Sequence, residues 1–294
     1  MVRKLYLISW NFYVDDPNYA PVIVDAIQNA INNNRVVVFL AGNFATQPGY
    51  VQFPANVNIN GVLAVGACDR NGIQSLYSPT DNELDFIAPS HKTYYYQITG
   101  ETKEVWSMDS PNNDEFNPCS SFCDAPSSLG EQLPNSGINY LSYTGRMGGT
   151  SASCPQVAGA AALMLSINPC ILPADIETML KNSCKKIGSI PYLSGRNNNY
   201  GFGLIDAFEA VKLAIQSASL FFKNQTLTGT NIYQASYGIY AGTHPDFQTL
   251  TGSTSIAANS NITFKAKEEV YLGGDFEVQS GAEFEIIPTQ VSCQ

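Results

Sequence analysis

The chain has 294 residues, enough for one large domain or for one domain with an appendage. Hydrophobic residues make up 44% of it and charged residues 14%, which is typical of a folded chain and excludes intrinsic disorder. Acidic residues outnumber basic ones by 25 to 15, and the resulting formal charge of −10 argues against a nucleic-acid partner. No apolar run approaches the roughly 18 residues that cross a bilayer, so we expect no membrane span.

The first ninety residues alternate strand-like and helical patterns. "LYLIS" (5–9) reads as a buried strand, and "PVIVDAIQNAINNN" (21–34) has apolar residues at helical spacing with Pro21 in the first turn. Three apolar strand-like runs follow: "RVVVFLAGN" (35–43), "GVLAVGA" (61–67) and "LDFIAP" (84–89). This order predicts an α/β fold, a three-layer arrangement of a parallel sheet with helices on both faces.

The rest of the chain changes character twice. Residues 91–140 lack periodicity and are predicted to be an irregular insert, after which the pattern predicts helices over 150–167, 173–183 and 206–215. Beyond about Ser217, glycines separate four alternating apolar pairs: Ile262/Phe264, Val270/Leu272, Phe276/Val278 and Phe284/Ile286. Alternation by two predicts short β-strands, arranged either as a small solenoid or as a sandwich.

Seven cysteines, few lysines and many Asn, Ser, Tyr and Gly residues suggest an exported protein. The spacings allow a Cys119–Cys123 disulfide and a Cys170–Cys184 disulfide. Zinc binding is disfavoured, because no C-x-x-C pair occurs and neither histidine lies nearby. An odd number of thiols leaves at least one free or paired with another chain.

The stretch "GGTSASCPQVAG" (148–159) has the properties of a nucleophile site. A serine at a helix N-terminus, here Ser151, lies beside free backbone N–H groups and the positive end of the helix dipole. Gly149 would let a substrate backbone approach, and Pro155 is expected in the first turn, where its missing N–H costs no hydrogen bond. A capped, small-residue core helix is the alternative. Asn43, at the end of a strand-like run, supplies a side-chain amide that could donate to an oxyanion.

Together these stretches resemble the subtilisin-like serine peptidases (subtilases). The family's G-T-S-x-x-x-P motif matches Gly149, Thr150, Ser151 and Pro155, and its A-G-N motif ends at Asn43. "SWN" (9–11), "DFIAPS" (85–90) and "GFGLIDA" (201–207) resemble further family segments, although Ser90 replaces the glycine of A-P-G. An α/β-hydrolase elbow is excluded, because Ser153 stands where its second glycine belongs.

The resemblance implies an incomplete subtilisin-like domain over 1–215 and a small all-β tail module over 216–294. It implies a serine endopeptidase that acts through an acyl-enzyme on Ser151, with Asn43 and the Ser151 N–H as oxyanion donors. The glycine-punctuated tail further resembles exported subtilases of Bacteroidetes-type bacteria. Expected partners are a protein or peptide substrate and, through the tail, cell-surface or sorting machinery; the expected location is secreted or at the cell surface.

The family's base motifs are absent. Neither D-[ST]-G nor H-G-T occurs, and only His91 and His244 could supply an imidazole. His91 lies just past a strand whose family counterpart carries no base, and His244 follows the serine instead of preceding it. Asp15 and Asp16 read as loop residues. We therefore expect the C-terminal part of a longer subtilase, inactive alone; the alternative is a non-catalytic exported surface or binding protein on a degenerate peptidase scaffold.

No cofactor is expected. Calcium is the one candidate metal, since subtilases often bind it and "DSPNNDEF" (109–116) clusters Asp109, Asp114 and Glu115. That segment lacks the EF-hand spacing, and a solvated loop is the alternative interpretation.

Overall fold

A computed structural model describes residues 5–44, 49–91, 105–108, 143–247 and 250–290. Its contacts divide the chain into two compact units. The sheet unit comprises the described residues of Lys4–Ala162 and Leu172–Ala207, and the coil unit those of Leu163–Ile171 and Phe208–Gln294. Each unit is described by itself below.

The sheet unit contains a four-stranded parallel sheet in the order β1-β2-β3-β4. Its strands are Leu5–Ile8 (β1), Val36–Leu40 (β2), Val62–Cys68 (β3) and Phe86–Pro89 (β4). Every residue of β2 and β3 is buried, which explains why these strands read as continuous apolar runs and not as alternating ones. The parallel sheet predicted from the sequence is confirmed. The expectation that 5–9 is a buried strand is wrong, because among the described strands β1 pairs only with β2, at the edge of the sheet, and Tyr6 and Leu7 are exposed.

The helices lie where the periodicity predicted them. They span Pro21–Asn32 (α1), Thr150–Ile167 (α2), Pro173–Ser183 (α3) and Ala207–Ser217 (α4). Proline occupies the first turn of both α1 and α3, where its missing N–H has no helical acceptor to lose. In the sheet unit, Ile27 of α1 packs into the core beside Val37 and Phe39 of β2.

The prediction of an irregular insert over 91–140 is wrong for its central part. Val105–Met108 (β5) pairs in antiparallel fashion with Tyr143–Met147 (β6), which lies just past the insert. The pairing was not visible in the sequence, because the partners lie almost forty residues apart and each strand is short. The remainder of 92–142 lies outside the described residues. Strand β6 ends at Met147, directly before Gly148. The β5–β6 pair therefore lies immediately before the start of α2 in the chain.

The coil unit contains nine short strands, β7 to β15, which form three parallel three-stranded sheets. The strands are Leu220–Phe222, Gln225–Leu227, Thr230–Ala235, Gly238–Ala241, Thr254–Ile256, Asn261–Ala266, Glu269–Leu272, Phe276–Val278 and Glu283–Pro288. The sheets are β7/β10/β13, β8/β11/β14 and β9/β12/β15. Successive strands therefore occupy three faces in turn, and each set of three makes one coil of a parallel β-helix.

The interior of this β-helix is apolar and most deeply buried in the middle coil. Ile239, Ile256, Ile262 and Phe264 are fully buried there. The four alternating pairs noted in the sequence all fall in strands, β12 to β15. Their parallel stacking corresponds to the solenoid alternative and not to the sandwich.

Candidate functional site

The nucleophile candidate lies at the start of α2, as the sequence predicted. Gly149 precedes the helix with a φ of +74°, a left-handed conformation that favours glycine. Thr150 is the first helical residue and Ser151 the second, and the Ser151 residue is partly exposed. This places Ser151 where backbone N–H groups have no helical acceptors.

Pro155 does not occupy the first turn, so that prediction is wrong. The helix begins at Thr150, which makes Pro155 its sixth residue. Because proline has no N–H, the carbonyl oxygen of Ser151 loses its helical donor four residues on. The hydroxyl of Ser9 lies 3.4 Å from that oxygen and donates to it instead. The end of β1 thus compensates for the proline.

Asn43 meets the helix start through its side-chain oxygen. Asn43 Oδ1 accepts hydrogen bonds from the Thr150 backbone N–H at 2.8 Å and from Thr150 Oγ1 at 2.9 Å. A Cβ atom at Gly149 would lie 3.1 Å from Asn43 Nδ2, so glycine is favoured at position 149 by space as well as by φ. The structure therefore brings together the two motifs that lie 107 residues apart in the chain.

The His91 ring lies against the backbone of Gly148 and Gly149, which precede the start of α2. Its side chain is buried, with 6% of the residue exposed, and burial lowers the pKa of the imidazole to about 4. Nδ1 accepts from the Gly149 N–H at 3.3 Å, and the ring packs against that of Tyr77. No hydrogen bond joins His91 to Ser151 within the described part of the chain, so His91 does not have the geometry of a general base.

The other base candidates have local partners. His244 belongs to the coil unit, where Nδ1 accepts from the Asp246 N–H at 3.1 Å and the ring contacts Tyr271. Asp15 and Asp16 lie outside helices and strands, as predicted, and Asp16 Oδ1 accepts from the Asn18 N–H. None of these contacts forms a catalytic pair.

The cysteines correct one prediction. Cys184 is a free, buried thiol whose Sγ donates to the Leu180 carbonyl at 3.1 Å, so the Cys170–Cys184 disulfide is wrong. Cys170 is disulfide-bonded, with a partner outside the described residues. Cys68 and Cys154 are also free and buried, and burial raises the pKa of both to about 12, which makes them unreactive. Cys119 and Cys123 lie outside the described residues.

The segment predicted as a candidate calcium site lies outside the described residues. Residues 109–116, with Asp109, Asp114 and Glu115, are not among those described. Over the described ranges, no group of three or more His, Cys, Asp or Glu side chains is arranged to hold a metal ion. Over the same ranges, none of the helices combines the length and hydropathy of a membrane span.

Polar side chains that were not predicted from the sequence support the segment before Ser151. Ser90 Oγ donates to the Gly149 carbonyl at 2.9 Å and accepts from Tyr77 Oη at 2.8 Å. The only sequence signal was the departure from A-P-G at Ser90. Serine adds a hydroxymethyl group that can form hydrogen bonds, but the sequence does not show whether it has a partner or which one.

Comparison with known proteins identifies the family of the chain. The family model described as Subtilase family (Peptidase S8) matches residues 3–203. A calcium-dependent protease from Nostoc sp. is 33% identical over 201 residues, which cover 65% of this chain and 27% of the relative. Subtilisin Savinase from Lederbergia lenta is 26% identical over 202 residues, which cover 69% of this chain and 55% of the relative.

A solved structure shows the fold independently. The serine protease of Aeromonas sobria, in complex with the chaperone, superposes with a TM-score of 0.55 at 20% identity. The match covers 72% of this chain and 43% of that one. The chain thus spans only part of the length of each of these three proteins.

Proposed function

Because this chain belongs to the subtilase family, we propose that it carries the nucleophile and the oxyanion donor of a serine endopeptidase. The observation that supports this is the pair of hydrogen bonds from Thr150 to Asn43 Oδ1. They hold the amide of Asn43 beside the helix start that bears Ser151. They also direct its oxygen to Thr150, so the Nδ2 end is the one that serves as the oxyanion donor.

In the proposed reaction, Ser151 Oγ attacks the carbonyl carbon of a peptide bond. Asn43 Nδ2 and the Ser151 N–H donate to the oxyanion of the tetrahedral intermediate, and its collapse expels the amine and leaves an acyl-enzyme that water hydrolyses. A general base must take the Ser151 proton and return it to the leaving amine. Removing one such asparagine donor in subtilisin costs about 10²–10³ in turnover, and we adopt that magnitude for Asn43→Ala in an active form.

We expect this 294-residue chain to be inactive by itself. It contains neither the D-[ST]-G nor the H-G-T motif, and the buried His91 bonds Gly149 and not Ser151. The test is labelling with a fluorophosphonate, using Subtilisin Savinase as the positive control and Ser151→Ala as the negative one. We expect no labelling of the wild-type chain. Robust labelling that disappears in Ser151→Ala would show that a base is present after all.

The missing base motifs favour one alternative, a non-catalytic exported surface or binding protein on a degenerate peptidase scaffold. The coding sequence around the chain distinguishes the two proposals. D-[ST]-G and H-G-T motifs upstream in the same reading frame would support the peptidase, whereas their absence would support the binding protein.

Three finer proposals accompany this function. We propose a partial peptidase domain over 1–215 and a tail module over 216–294, resembling that of Bacteroidetes-type exported subtilases. The tail would contact cell-surface or sorting machinery, which fits secretion or surface display. The Nostoc relative is named a calcium-dependent protease, so 109–116 stays a proposed calcium segment; no step of the reaction above uses calcium.

A further inference from the structure

The residue before Thr150 is held from both sides by two consecutive residues. His91 Nδ1 accepts from the Gly149 N–H at 3.3 Å, and Ser90 Oγ donates to the Gly149 carbonyl at 2.9 Å. The Ser90 hydroxyl is itself oriented by Tyr77 Oη, which donates to it. Both polar groups of one residue are therefore fixed by side chains that follow β4.

The protonation state of His91 follows from these contacts. The hydroxyl oxygens of Tyr77 and Ser90 each lie 3.4 Å from Nδ1 and could act with either tautomer. The Gly149 N–H can only donate, so its bond assigns Nδ1 as an unprotonated acceptor and the ring proton to Nε2. Nε2 is buried and has no hydrogen-bond partner among the described residues. An unsatisfied buried donor is costly. The Gly149 bond sets the tautomer at Nδ1 and leaves Nε2 unsatisfied over the described ranges.

The fit around the ring is equally specific. A Cβ atom at Gly148 would lie under 3.0 Å from both Nδ1 and Cε1 of His91. The imidazole therefore packs directly against the backbone of Gly148 and Gly149. Ser75 Oγ donates to the His91 carbonyl, so the backbone of His91 is also fixed.

We propose that Ser90 and His91 are positioning residues, a Ser90–His91 clamp that holds Gly149 in its left-handed conformation. That conformation sets the direction in which Thr150 and Ser151 leave the turn. The clamp thereby aligns the Thr150 N–H with Asn43 Oδ1 and the Ser151 N–H with the proposed oxyanion. The role of Ser151 rests on the proposed function, but the clamp itself does not.

The first test needs no substitution in the clamp. In the full chain labelled with ¹⁵N-histidine, long-range ¹H–¹⁵N correlations distinguish the two neutral tautomers of each imidazole. We expect His91 to be neutral at pH 7 with its proton on Nε2, and to be unchanged in Ser151→Ala. A proton on Nδ1 would overturn the proposal, because the Gly149 N–H would then have no acceptor there.

The second test measures hydrogen exchange of the Gly149 amide in three variants. His91→Val removes the acceptor, whereas His91→Asn keeps a side-chain oxygen near the position of Nδ1. Ser90→Gly, which restores the family residue, removes the Ser90 bond to the Gly149 carbonyl and leaves the bond from the Ala152 N–H at 3.1 Å. We expect exchange about tenfold faster in His91→Val, the upper range for one lost hydrogen bond, and within about twofold of wild type in His91→Asn.

The exchange rate of the Gly149 amide in Ser90→Gly is expected to lie between the rates in His91→Asn and His91→Val. Equal exchange in all three variants would refute the clamp, and if His91→Val fails to fold, the tautomer measurement still decides. Neither readout depends on catalysis. Robust fluorophosphonate labelling, which would refute the expected inactivity, therefore leaves the clamp standing, and failure of the clamp leaves the assignment of Ser151 standing.

Discussion

Gly148→Ala tests whether the packing of His91 against the nucleophile segment is as tight as the structure shows. The new methyl group would lie under 3.0 Å from two ring atoms of His91, so the ring or the turn must move. The ring cannot move freely, because it is buried against Tyr77 and bonded to Gly149. Overpacking of this kind costs about 1–3 kcal/mol of the free energy of unfolding.

A double-mutant cycle assigns that cost to His91. In the His91→Ala background the methyl group has room, so we expect Gly148→Ala to cost less than about 0.5 kcal/mol there. Gly159→Ala is the matched control, because a Cβ at Gly159 meets nothing within 4 Å and alanine is favoured inside a helix by about 0.5–1 kcal/mol.

The assay is urea unfolding of each variant at pH 7, followed by far-UV circular dichroism and by tryptophan fluorescence, with the two probes compared to detect separate transitions. Gly148 is not among the glycines with positive φ, so alanine should bring no backbone strain of its own. An equal cost of Gly148→Ala in the wild-type and His91→Ala backgrounds would refute the contact with the ring.

Two further predictions concern pH. Burial lowers the pKa of His91 from 6.5 to about 4, so the unfolded state binds the proton first, and the folded state should lose up to about 3 kcal/mol as pH falls from 6.5 to 4. His91→Asn should remove this loss, and urea unfolding at several pH values that showed the same slope in the variant would contradict the prediction. Burial raises the pKa of Asp85 to about 7, against the opposing effects of the Ala64 N–H and of Lys181, so its contribution runs the other way, with stability lost as pH rises from about 4 to 7. Asp85→Asn keeps an acceptor for the Ala64 N–H and should be more stable than wild type at pH 7 but not at pH 4; equal differences at both pH values would refute the assignment.

The sequence by itself determined strands β1 to β4, the four helices and the candidate nucleophile. Apolar runs located the strands and apolar residues at helical spacing located most of the helices, because these patterns reflect which residues of each element are buried. The motif around Ser151 was equally readable, since its glycine, serine and helix start are neighbours in the chain.

The sequence did not show which distant strands pair with each other. Alternation by two showed that residues such as Ile262 and Phe264 share a face, but not which strands pair, so solenoid and sandwich stayed open. The β5–β6 hairpin was missed because its two strands pair across a long insert. The helix start at Thr150 was predicted, but the sequence did not show that Pro155 lies past the first turn with Ser9 as a donor to the Ser151 carbonyl.

Only the tertiary structure decided what surrounds Ser151. It placed Asn43 against Thr150, and it turned His91 from a weak candidate base into a buried acceptor for the Gly149 N–H. The physical reason is the same in both cases. A hydrogen bond depends on distance and direction between atoms that the fold brings together, and local composition carries no record of either.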